Sequence, residues 1–143
     1  MAANDVRYLS LPLVIALNTR IMDETDSPQA PLRAEGLLES AIMRAHTAAY
    51  YDQADLLRQA AVLAVGIAQA QAFVDGNKRL AFGAMDVFLR LNGCRFVGET
   101  DDAVAQFEAL ARGTDSLQAA PERFEAWLRN HTVPLEKPPG AGK

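Results

Sequence analysis

Residues 55–70 read DLLRQAAVLAVGIAQA, residues 71–79 read QAFVDGNKR, and residues 80–91 read LAFGAMDVFLRL. After its first turn the opening stretch is apolar nearly all round, and so is the closing one. A helix without a polar face must be covered on every side, so the pattern predicts two helices, over 55–70 and 80–91, buried at the centre of one domain. Asn92-Gly93 supplies a stop for the second of them. The polar stretch between the two helices is then held inside the fold.

The flanks read as shorter, one-faced helices. Ser10 predicts an N-cap for a helix over 11–22, with Pro12 tolerated in its first turn. Leu13, Leu17 and Ile21 recur at i, i+4 spacing and define its apolar face. Two prolines make residues 23–31 (DETDSPQAP) a loop. A second helix is expected over 34–49, with Leu37, Leu38, Ala41, Ile42 and Ala45 inward and Tyr50, Tyr51 and Asp52 as a short connection. Beyond the centre, Cys94 to Gly98 reads as a short extended piece. Helices follow over 102–112 and 121–130, the latter burying Phe124, Trp127 and Leu128. The fold class expected is all-α, about six helices around two buried central ones, with a helical domain over 1–132 and a disordered Pro/Gly-rich tail over 133–143.

Composition narrows the function classes. A chain of 143 residues makes one domain with a real core. The single cysteine, Cys94, excludes an internal disulfide and a zinc framework. A formal charge of −4 disfavours direct nucleic-acid binding, which calls for a basic surface. The longest apolar run, Ala60 to Ala68, has nine residues, far short of a membrane span, and Asn4, Asp5 and Arg7 interrupt any signal-like run. The expectation is a soluble cytoplasmic protein that engages neither nucleic acid nor membrane.

The link itself is chemically odd. Asp75-Gly76-Asn77 is a tight-turn signal that leaves backbone N–H groups free at the start of the next helix. Lys78 and Arg79 follow in that helix's first turn, where the macrodipole disfavours cations. Free amides, a helix N-terminus and two cations describe an anion site, with phosphate the common occupant. A carboxylate beside a polyphosphate, here Asp75, is the usual place for magnesium. The alternative is a plain helix start whose lysine and arginine point into solvent. Burial of both flanking helices favours a ligand, because polar groups at a domain centre are costly unless something satisfies them.

The run Phe73-Val74-Asp75-Gly76-Asn77-Lys78-Arg79 resembles the signature of the Fic/Doc family, His-x-Phe-x-(Asp/Glu/Asn)-(Gly/Ala)-Asn-(Gly/Lys)-Arg. Lys78 before the arginine is similar to the Doc (death-on-curing) branch, where Fic members carry glycine. Tyr8-Leu9-Ser10, Gly36 to Ala41 and Phe88 to Gly93 also look like Doc-type segments, so the resemblance covers most of the chain.

That resemblance implies transfer of part of ATP to a protein hydroxyl: AMP in most Fic enzymes, the terminal phosphate onto a threonine of elongation factor Tu in Doc. It implies ATP and Mg²⁺ as cofactors, a translation factor as protein substrate, and a small antitoxin as partner. Residue by residue, it implies that Asp75 holds the metal, Asn77 helps bind a phosphate oxygen, and the amides of Gly76 to Lys78 form the cradle. Lys78 and Arg79 neutralise phosphate charge, and Phe73 anchors the loop. Gln71 stands where the family has its catalytic histidine. A carboxamide has no pKa near neutrality and can orient the attacking hydroxyl but not deprotonate it. The activity is therefore expected to be impaired, with an inactive nucleotide- or protein-binding module as the alternative. His46, on a helix, and His131, beside the tail, read as structural. Glu35-Gly36 lacks the upstream Ser or Thr of a self-inhibitory motif, having Pro31 there.

Overall fold

The computed structural model describes residues 6–25, 32–73, 76–112 and 119–135. Among them are six helices and one two-stranded sheet: α1 (Leu11–Glu24), α2 (Glu35–Asp52), α3 (Leu56–Ala70), α4 (Asn77–Leu91), β1 (Cys94–Phe96), α5 (Thr100–Arg112), α6 (Ala119–Arg129) and β2 (Thr132–Pro134). This is the all-α architecture expected from the two apolar segments.

Helices α3 and α4 lie against each other at the centre. Helix α3 also takes α2 and α6 on its flanks, while α4 takes α1, α5 and β1. Their buried side chains include Leu63, Val65 and Ile67 of α3 and Leu80, Met85, Phe88 and Leu89 of α4. Asp55 starts α3 by accepting the Arg58 N–H at 2.9 Å, and Ser10 starts α1 by accepting that of Leu13 at 3.3 Å.

Several expectations change in detail. Helix α1 buries Val14, Asn18 and Met22, leaves Leu17 and Ile21 half-buried and exposes Leu13. The apolar count chose the neighbouring row because a polar residue, Asn18, interrupts the row that is buried. Leu37 is exposed, and α2 turns Leu38, Ala41, Ile42, Ala45 and Ala48 inward instead. That helix runs through the expected connection to Asp52, and Gln53 ends it in the left-handed region (φ 54°). Helix α4 begins at Asn77, not Leu80, which shortens the central link.

The tail boundary at Val133 falls inside β2, which pairs antiparallel with β1 in the register Cys94↔Pro134, Arg95↔Val133, Phe96↔Thr132. The Leu135 N–H continues this by donating to the Gly93 carbonyl at 2.9 Å. Residues 136–143 lie outside the described residues. At the other end, buried Asn92 clamps Arg7. Its Oδ1 accepts the Arg7 N–H (2.8 Å), and its Nδ2 donates to the carbonyls of Arg7 (2.9 Å) and Phe88 (2.8 Å).

Candidate anion site at the start of helix α4

Helix α3 ends where Gln71 enters the left-handed region at φ 47°, ψ 45°. A residue with a Cβ is strained there, so something must hold it. The hold comes from the chain just before α2. Arg33 Nε donates to the Gln71 carbonyl at 3.2 Å, and the Ala72 carbonyl accepts the N–H groups of Arg33 (2.8 Å) and Ala34 (3.1 Å). An isolated antiparallel bridge between Leu32 and Phe73 completes the seam. The Gln71 side chain stays exposed, while Ala72 and Phe73 are buried.

The far end of the link is fixed by Asn77 and Gly76. The Asn77 carboxamide closes on the Phe73 backbone from both sides, accepting its N–H at 3.1 Å and donating to its carbonyl at 2.9 Å. Much of the side chain is thus spent on shaping the loop, and one Nδ2 hydrogen remains for a ligand. Gly76 has φ 82°, and a Cβ there would stand 3.1 Å from Met22 Sδ. Both conformation and space therefore call for glycine.

Gly76 caps α4 without any side-chain hydrogen bond. The first turn closes only when the Leu80 N–H reaches the Gly76 carbonyl at 3.0 Å. The amides of Asn77, Lys78 and Arg79 precede that turn and have no intrahelical acceptor. The Lys78 and Arg79 side chains are exposed, and among the described residues no ion pair engages either. Two cations without an ion pair among the described residues, beside amides without intrahelical acceptors, attract an anion at a helix end that is itself positive.

Asp75 and Val74 lie outside the described residues, so the expected metal ligand has no described position. No group of three or more His, Cys, Asp or Glu that could hold a metal occurs among the described residues. Gln71 and Gly76 lie in the link between the central helices, and Asn77, Lys78 and Arg79 in the first turn of α4 that follows it. The two histidines are engaged elsewhere: His46 stacks on Tyr8 (centroids 4.6 Å apart), and His131 Nδ1 lies 2.8 Å from the Trp127 carbonyl.

Two residues escaped the sequence reading. One is Arg33, whose bond to the loop spans a long sequence separation and leaves no local signal. The other is Asn18, 2% exposed beneath Gly76, whose Oδ1 has no hydrogen-bond partner among the described residues. Its signal was a lone polar residue in the row Val14, Asn18, Met22.

A family model for the Fic/DOC family matches residues 8–89, more than half of the chain and the whole of this loop. The chain belongs to the Fic/DOC family. Among curated proteins it is similar to one of Mycolicibacterium smegmatis named "Toxin Doc", at 38% identity over 72 residues, 49% of this chain and 55% of that protein. The chain thus spans about half the length of the curated relative it matches. No helix among the described residues is long and apolar enough to cross a membrane.

Proposed function

We propose that this chain is a Doc-like toxin-module protein that holds the phosphates of ATP on the Gly76–Arg79 segment, in a site built to transfer the terminal phosphate to a protein hydroxyl. The observation that carries the reading is the N-terminus of α4, with its first amides lacking intrahelical acceptors, its glycine at φ 82° and its exposed Lys78 and Arg79. Likeness to the protein named "Toxin Doc" supports the branch. The amides orient the phosphate, Lys78 and Arg79 offset its charge, and Asn77 keeps the loop in shape. Magnesium, on Asp75, would supply further charge neutralisation.

Gln71 faces solvent beside this loop and lacks a titrating group, so the transfer is impaired as the sequence stands. The partners proposed are a translation factor such as elongation factor Tu as substrate and a small antitoxin, all in the cytoplasm. The left-handed, base-free Gln71 also fits a second reading, an inactive nucleotide- or protein-binding module.

Thermal melting with ATP–Mg²⁺ tests the site. A ligand that binds only the folded protein raises the melting temperature by mass action. Millimolar ATP–Mg²⁺ should raise it, and Lys78→Ala with Arg79→Ala should remove most of the rise. No rise in the unaltered protein excludes a working nucleotide site.

A further inference from the structure

Buried polar atoms in folded proteins are nearly always hydrogen-bonded, and an exception at a binding loop points to a role in the bound state. Asn18 is such an exception. It is 2% exposed, and its Oδ1 has no hydrogen-bond partner among the described residues. The unpaired oxygen lies 3.9 Å from the point where a Cβ on Gly76 would stand. Gly76 also begins α4, whose first amides lack intrahelical acceptors. An oxygen without a donor among the described residues and amides without intrahelical acceptors therefore flank one glycine, with the flexible thioether of Met22 packed beside them.

We infer that Asn18 is a further residue of this site, a positioning residue whose carboxamide oxygen accepts the Asn77 N–H when a phosphate seats on the Lys78 and Arg79 amides. This rests on the nucleotide-site reading above. The bond is made in the liganded state and not in the free one, so it contributes to affinity, which only a differential interaction can do. It also ties the first turn of α4 to α1, fixing the direction of the two amides that meet the phosphate. Asparagine fits this role, since leucine offers no acceptor and aspartate sets a negative charge beneath a bound anion. If Asn18 were only a tolerated defect of the α1–α4 contact, replacing it would leave ligand affinity alone.

The experiment measures melting and ligand affinity of the full chain, unaltered and as Asn18→Leu and Asn18→Asp, with ATP–Mg²⁺ in one arm and inorganic phosphate in another. Without ligand, Asn18→Leu should melt no lower than the unaltered protein, because an unpaired buried group has been removed. Its dissociation constant for ATP–Mg²⁺ should rise roughly five- to tenfold, the effect of one hydrogen bond, and Asn18→Asp should bind more weakly still. Equal affinity of Asn18→Leu and the unaltered protein overturns the inference. Should the variants not fold, exchange of the Asn77 amide in the unaltered protein decides. It should slow when ATP–Mg²⁺ is added, and unchanged exchange overturns the inference. Failure of the unaltered protein to bind either probe defeats the nucleotide-site reading itself, and this inference with it.

Discussion

Asn77 holds Phe73 by both backbone groups, Oδ1 on its N–H at 3.1 Å and Nδ2 on its carbonyl at 2.9 Å. The pair closes the central link into a loop whose base is anchored in the core, since Phe73 is 3% exposed. Asn77→Ala removes both bonds and should cost about 1–3 kcal/mol in urea denaturation. It should also weaken the ATP–Mg²⁺ thermal shift. Asn77→Asp keeps the acceptor and loses the donor, so its stability should fall between the two. A fully stable Asn77→Ala protein would mean that the loop is held elsewhere.

Gly76 and Gly93 share a left-handed backbone (φ 82° and 86°) but differ in surroundings. A Cβ on Gly76 meets Met22 Sδ at 3.1 Å, whereas one on Gly93 meets nothing within 4 Å. Alanine at either position should cost about 1 kcal/mol for its backbone conformation. Gly76→Ala should cost a few tenths more, because Met22 must shift and its flexible thioether can do so. Equal losses at the two sites would show that the Met22 contact is slack.

Gln71→His should restore phosphotransfer and make the protein growth-inhibitory in bacteria, while the glutamine form is tolerated. A positioned base contributes roughly 10²–10⁴-fold in rate, and imidazole titrates near working pH. Both forms would be expressed and incubated with labelled ATP and a cell lysate. If the histidine form stays harmless and silent, the inactive-module reading takes over. Strong labelling by the glutamine form would instead remove Gln71 as the defect.

Asp55 ties the start of α3 to α6. It accepts the Arg58 N–H at 2.9 Å, and Arg129 Nη2 reaches its two oxygens at 2.9 and 2.7 Å. Partial burial pushes this carboxyl upward, but the bonds from Arg58 and Arg129 outweigh it and the pKa is lowered. A lowered folded pKa gives stability that is present above the ordinary carboxylate pKa and is lost as pH falls through the folded value. The side chain is largely exposed, so the pair is worth under about 1 kcal/mol. Denaturation across pH 5 to 2 should show the unaltered protein losing more stability than Asp55→Asn, which keeps the helix cap, and high salt should shrink the difference. Parallel pH profiles would show that the pair contributes nothing.

All-round apolarity of residues 55–70 and 80–91 was enough to place two helices side by side at the centre, because such segments have no stable position except inside. The same reading placed a link with a glycine turn at residues 71–79, since turn chemistry is local and leaves a local record, although α4 already begins at Asn77. The sequence could not choose the buried row of α1: Leu13, Leu17 and Ile21 are the more apolar set, yet the row that docking buries is Val14, Asn18 and Met22. It could not foresee the β1–β2 pairing that takes up Val133, nor the bonds from Arg33 that hold Gln71 in the left-handed region. Nor could it tell that a buried oxygen on Asn18, without a partner among the described residues, lies under Gly76. Those features depend on residues far apart in the chain meeting in space. Periodicity reports which side of a helix prefers burial, whereas the partner that does the burying is decided only when the helices dock.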